Sequence, residues 1–243
     1  MKKIFVLAIM AMFTLVSQAQ IVSSRSSRVT TTTTQGLYED YNTIYLQWNP
    51  SSLVPKEGDS YSFTGFSAGY NHAFSVSQNI PLYVEAGIGI QYSFWSGDTY
   101  FPYKMGERNY EEKIKDCKIK LLSAKVPLSI AYKFEIPNSF ISIIPNAGID
   151  LRFNFLAKLN NDNWKESINL FDEDLSYLIN EGGYDFKLRE TWKRFQVGWH
   201  VGVNVMFNNT FMIGGSYGTD FTTIWNYFDC KMRTGSITLG YCF

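Results

Sequence analysis

Strict period-two alternation, sustained over runs longer than an ordinary strand, is the feature that most constrains this chain. From Leu82 the even positions read Leu82, Val84, Ala86, Ile88, Ile90, Tyr92 and Phe94, while the odd positions between them read Tyr83, Glu85, Gly87, Gly89, Gln91 and Ser93. One face is apolar and the other polar or small, which only an extended strand between two different environments presents. The pattern recurs with Leu122, Ala124, Val126, Leu128, Ile130, Tyr132 and Phe134, with Ile143, Pro145, Ala147, Ile149, Leu151, Phe153 and Phe155, and with Phe195, Val197, Trp199, Val201, Val203, Val205 and Phe207. Shorter alternating runs lie at Ile44–Trp48, Phe66–Val76, Phe211–Phe221 and Ile237–Phe243. Eight strands are therefore predicted.

The connections alternate in length. Ser77–Ile80, Ile136–Ser139 and Asn208-Asn209 are short and carry turn residues; Asn49–Ser60, Ser96–Cys117, Leu156–Thr191 and Thr222–Lys231 are long. Short turns on one side, long loops on the other and an even strand count describe an eight-stranded antiparallel up-and-down transmembrane β-barrel with short periplasmic turns and long extracellular loops. Tyr92, Phe94, Phe153, Phe155 and Phe195 sit at the long-loop strand ends, and Phe74, Tyr132, Phe134 and Phe207 near the short turns, as two aromatic girdles. Alternation alone does not say which face points inward, so a soluble lipocalin-like barrel with an apolar cavity stays open. Ten strands also stay open, through a tall hairpin built on Leu156–Thr191.

The amino terminus points to export. Lys2 and Lys3 precede an apolar run from Ile4 to Val16, and Ser17-Gln18-Ala19 has the small residues of a cleavage site. The run is shorter than the about 20 residues a bilayer core demands, so residues 1–19 are expected to be a signal peptide. Residues 20–41, with five consecutive threonines at Thr30–Thr34, are expected to form a Ser/Thr-rich periplasmic segment, and 42–243 the barrel. A formal net charge of zero, with no basic stripe, argues against nucleic acid as a partner. Aromatic residues make up 17% of the chain and charged ones only 18%, a balance that suits a lipid-facing wall.

These features resemble the small outer-membrane β-barrel proteins of Gram-negative bacteria, of OmpA-like or PorT-like style. The last strand, Thr234 to Phe243 with its terminal aromatic, carries the resemblance together with the leader and the eight alternating runs. The resemblance implies that Tyr241 and Phe243 form the signal read by the barrel-assembly machinery during biogenesis, with outer-membrane lipid as the surrounding partner. It implies no activity, because such barrels host enzymes, adhesins and secretion subunits alike. No peptidoglycan-binding domain is expected after Phe243.

The polar face should line the lumen, where Glu85, Asp150 and Asp220 meet Lys125, Lys133 and Arg152, with His200 among them; charges in a narrow interior must pair to offset desolvation. His72 falls on the opposite, outward face, so the two histidines do not share a site. No cofactor or metal motif and no phosphate loop occurs, and no catalytic set is assigned. Cys117 and Cys230 both end long loops, which leaves a disulfide between them open. In the longest loop Trp164, Ile168, Phe171, Leu175 and Leu178 recur at helical spacing before Gly182-Gly183, predicting an amphipathic helix able to bind a partner or fold over the barrel mouth. A non-enzymatic barrel, structural or partner-binding through its extracellular loops, with a subunit of an envelope or secretion assembly as one form of that role, is the expected function; a small channel and a lipid-modifying enzyme are the alternatives.

Overall fold

A computed structural model describes residues 38–56, 60–161, 166–174 and 186–243. They form twelve strands: β1 (Tyr41–Trp48), β2 (Ser51–Val54), β3 (Tyr61–Ser77), β4 (Ile80–Met105), β5 (Arg108–Tyr132), β6 (Phe134–Glu135), β7 (Ile141–Asn161), β8 (Ile168–Asn169), β9 (Phe186–Leu188), β10 (Phe195–Phe207), β11 (Phe211–Asp220) and β12 (Lys231–Cys242). No helix occurs among the described residues. β1 with β2 makes one stave and β5 with β6 another, so the ring has eight staves, in the order β1/β2, β3, β4, β5/β6, β7, β10, β11, β12. All neighbours are antiparallel, and β1 closes the ring on β12 with Thr43 opposite Cys242 and Trp48 opposite Ile237. Closure removes the sheet edges that an open eight-stranded sheet would expose.

Pro50 interrupts the first stave because it has no N–H to give. The ladder bridges the gap through Asn49 N–H donating to Gly65 O at 2.7 Å and Gly235 N–H donating to Pro50 O at 2.9 Å. At the short-turn end, Asn208 and Asn209 both take positive φ (51° and 53°), the geometry that a two-residue hairpin turn matched to strand twist requires and that Asn tolerates.

The apolar face points outward. Ile44, Leu46, Ile88, Ile90, Val201, Val203, Ile213, Ile237 and Leu239 are all exposed, whereas the inward positions of the same strands are polar or glycine at mid-height. This excludes the lipocalin-like alternative with its apolar cavity. On β4 the outward apolar positions run from Val84 to Phe94, roughly 33 Å along a strand rising about 3.3 Å per residue; a tilt of about 40° makes that a band about 25 Å tall.

Three expectations about the long loops need correction. Asn49–Ser60 is not wholly a loop, because Ser51–Val54 within it is β2, which pairs β12 and β3 and carries the first stave beyond Pro50. Residues 96–117 are not a loop but the upper half of the β4–β5 hairpin, paired in register up to Met105 opposite Arg108 and turned at Gly106, whose φ is +61°. β-forming aromatics drive the extension: Phe101 is buried, and Tyr103 stacks on Tyr110 at 5.4 Å. A register shift between Gly97 and Thr99, opposite Asp116 with φ 55°, marks where this hairpin leaves the ring. β7 also continues beyond Phe155 to Asn161, with an irregularity opposite Leu122/Ser123 that changes its inward parity from Asn154 to Ala157. The ring itself keeps eight staves. The third correction is the loop helix: Ile168 lies in strand β8, opposite Leu159, and Phe171 lies in the turn that follows. The extended upper part of β7 presents ladder groups that this segment pairs with, burying Ile168 and Leu170, and Leu170 N–H donates to Ala157 O at 2.9 Å. Trp164, Leu175 and Leu178 lie outside the described residues, as do residues 1–37.

Candidate functional site

The interior is layered. At the long-loop end an apolar layer fills the ring: Leu53, Phe63, Trp95, Ile119, Leu121, Leu159, Trp192, Ile224, Trp225 and Met232 are buried together. Trp192 and Trp225 come from different loops, their rings 5.9 Å apart, and are joined by an isolated bridge. At the short-turn end a smaller apolar layer contains Ala73, Tyr83, Ala131, Ile144, Met206, Met212 and Cys242, with Tyr38 and Tyr41 packed against it. Between them lies the polar section.

There, Lys125 Nζ stands 3.0 Å from Asp150 Oδ2, and Arg152 Nη1 donates to Asp220 Oδ2 at 3.2 Å. His200 Nδ1 stands 3.1 Å from Asp150 Oδ1, close enough for an ion pair in the protonated state although the two are not aligned as a hydrogen bond. The strand register explains the grouping: Asp150 lies opposite Gly198 and Pro127, Arg152 opposite Lys125 and Gln196, so one segment of β7 collects its partners from both sides. Glu85 is buried without a cation at ion-pair distance among the described residues; it accepts from Tyr41 OH at 3.0 Å and Ser129 Oγ at 3.2 Å. Above the ion pairs, Asn154 accepts from Ser123 Oγ at 2.6 Å and donates to Gln196 Oε1. Tyr41, Ser129, Asn154 and Gln196 had no distinguishing signal, since a polar residue on the inward parity does not reveal its cross-ring partner.

Lys133 departs from the expected network. It sits at the short-turn rim, 3.1 Å from Glu135 and donating to Asn209 Oδ1 at 3.0 Å, because β5 breaks at that residue and β6 turns Glu135 back toward it. The set expected to be three acids and three bases is in fact two carboxylates facing Lys125, Arg152 and His200, with Glu85 held by hydroxyls.

Free space in the polar section is small. One cavity of ≈ 80 Å³, between Tyr45, Glu85, Lys125, Asn146 and His200, has room for about two or three waters. A second, of ≈ 10 Å³, lies beside Asp150, Arg152 and Asp220. Gly89 makes the packing this tight: a Cβ there would meet the Tyr45 hydroxyl at 2.6 Å, so the ring of Tyr45 lies across a glycine floor shared with Gly69.

The other sequence-derived positions are elsewhere. Tyr241 and Phe243 are exposed at the short-turn rim, their rings stacked 6.2 Å apart and Tyr241 edge-on to Phe211 at 5.8 Å. His72 faces outward and shares the Asn42 side-chain oxygen with Tyr70 OH. The three cysteines are free. Burial pushes the Cys230 thiol up to about 12 and raises that of Cys117 as well, so neither is a ready nucleophile. In the tall hairpin, hydrogen bonding from Lys113 holds the exposed Asp98 carboxyl below its usual range.

No protein-family model and no curated protein matches the chain. Among solved structures it is similar to Ail, the attachment invasion locus protein of Yersinia pestis, with 16% identity over 85% of this chain and 100% of that one and a TM-score of 0.40. It is similar to Neisserial surface protein A, with 14% identity over 85% and 99% of the two chains and a TM-score of 0.40. It is similar also to the outer membrane enzyme PagL, with 11% identity over 80% and 97% and a TM-score of 0.42. The described residues form an all-β, antiparallel eight-staved barrel, similar to small outer-membrane barrel proteins.

Proposed function

We propose that this protein is exported by a leader ending at Ala19 and resides in the bacterial outer membrane as a closed, non-enzymatic barrel that serves as a structural or partner-binding element of the envelope through its long-loop end. The observation that supports this most is the interior itself: a polar section with paired charges lies between two apolar layers, inside a wall whose outer band is apolar. A channel needs a continuous wet path, and both apolar layers stand across it. An enzyme needs a substrate-sized space beside its base, whereas His200 borders cavities of only ≈ 80 and ≈ 10 Å³, and the nearby Ser216 hydroxyl is engaged with Ser236 at 2.5 Å. The tall hairpin and the tryptophan-rich cap give the long-loop end a folded surface that envelope or secretion proteins can dock on.

Planar-bilayer recording tests the closed lumen. The purified protein is expected to give no steady openings, and Lys125→Ala is expected to stay silent because both apolar layers remain. Sustained, sizeable openings from the unaltered protein would overturn this reading.

A further inference from the structure

At the upper edge of the aromatic band at the long-loop end, Lys120 of β5 and Lys158 of β7 are cross-strand partners, and both are exposed on the outer face. Such a pair brings two ammonium-bearing chains within about 5.5 Å at Cβ, an arrangement that is destabilising unless an anion is present. Neither lysine has an ion-pair partner among the described residues, and neighbouring positions add charge of the same sign: Lys193 and Arg194 at the start of β10. Arg194 is held in place, its Nη1 donating to Phe155 O at 3.3 Å and its guanidinium 4.2 Å from the Phe171 ring. On β4, Asp98 is already taken by Lys113 at 3.2 Å. Glu166 and Asp172 line the open recess of ≈ 420 Å³ that also touches Phe155 and Lys158, without reaching ion-pair distance of that lysine. Opposite Lys120 on its other side stands Phe94.

Cations and aromatics thus share one edge of the wall. We propose that Lys120, Lys158 and Arg194 bind the phosphate of a lipid headgroup, whose acyl chains run down the wall past Phe94 and Phe155. An amphiphile is favoured over a soluble anion because the cations border the apolar band rather than the hairpin tip. The proposal rests on the membrane reading above.

Phosphatidic acid is the probe, supplied as a minor component of neutral-detergent micelles holding the intact barrel, with retained lipid counted by native mass spectrometry. The unaltered protein is expected to retain phosphatidic acid over phosphatidylcholine. Lys120→Gln with Lys158→Gln should weaken retention about thirtyfold, each charge contributing about fivefold, while Lys104→Gln with Arg108→Gln at the hairpin tip should not. Equal retention by the Lys120/Lys158 variant, or displacement of the lipid by inorganic phosphate or by a sulfated polysaccharide at low concentration, would overturn the proposal. Protease protection in phosphatidylcholine vesicles separates the two readings: a barrel that inserts but shows no phosphate preference refutes the lipid site alone, whereas a barrel that fails to insert refutes the membrane reading and the site with it.

Discussion

Replacing Ile90 by Arg is expected to cost about 2–4 kcal/mol of unfolding free energy in phosphatidylcholine vesicles, the penalty for a cation on the lipid face near the bilayer midplane. Ile90 is 59% exposed and sits near the middle of the outward run of β4, between Val84 and Phe94. In water an exposed Ile→Arg change away from special features stays within about 0.5 kcal/mol. The same substitution therefore reads the environment of the outer face directly. Phe134→Arg, at the short-turn rim, is the internal control and should cost only about 0–1 kcal/mol. Urea titration of vesicle-embedded protein measures both; equal, small effects at the two positions would mean that the band does not face hydrocarbon.

Asp150→Ala is expected to destabilise the barrel by about 3–5 kcal/mol, the range found when one member of a buried charge group is removed and its partners are left uncompensated. Asp150 faces two groups at once, Lys125 at 3.0 Å and His200 at 3.1 Å, in a section whose free volume is too small to rehydrate them fully. The neighbouring pair permits the complementary experiment. Asp220→Leu alone strands Arg152, which has no other acid at ion-pair distance among the described residues; combined with Arg152→Met, both desolvation costs vanish and the double variant should recover most of the loss. Urea unfolding of the three variants in vesicles decides the matter. A double variant as unstable as Asp220→Leu would show that the pair stabilises the lumen by more than its charges cost.

Much of this architecture was legible because a barrel wall is written locally. Which face Ile88 or Gln91 belongs to depends only on parity, and the short turns at Asn138 and Asn208-Asn209 carry their own φ preference. Register is different. That Tyr41 would reach Glu85, or Asn154 reach Gln196, depends on the stagger of strands far apart in sequence, and no local signal encodes it. Parity also misled where bulges reset it: β7 changes its inward set after Asn154, so strand residues 156–161 read as the beginning of a loop. The upper β4–β5 hairpin was hidden by its polar tip, although Thr99, Phe101 and Tyr103 continue the alternation. Ile168 and Phe171 kept a helical spacing, yet an available ladder on β7 outweighed a marginal helix. Lys133 had the right parity for the lumen but sits at the height of the rim, and parity carries no information about height.

The outward placement of the apolar face in a bilayer, around a closed interior, is the central claim, and spin-label accessibility tests it most directly. Labels at Ile88, Ile90, Val201 and Val203 are expected to collide readily with dissolved oxygen and hardly at all with a water-soluble nickel chelate, while labels in the tall hairpin at Lys104 and Arg108 show the reverse. Nickel accessibility at the first four positions equal to that of the hairpin would contradict the account, because it would place the apolar band in water.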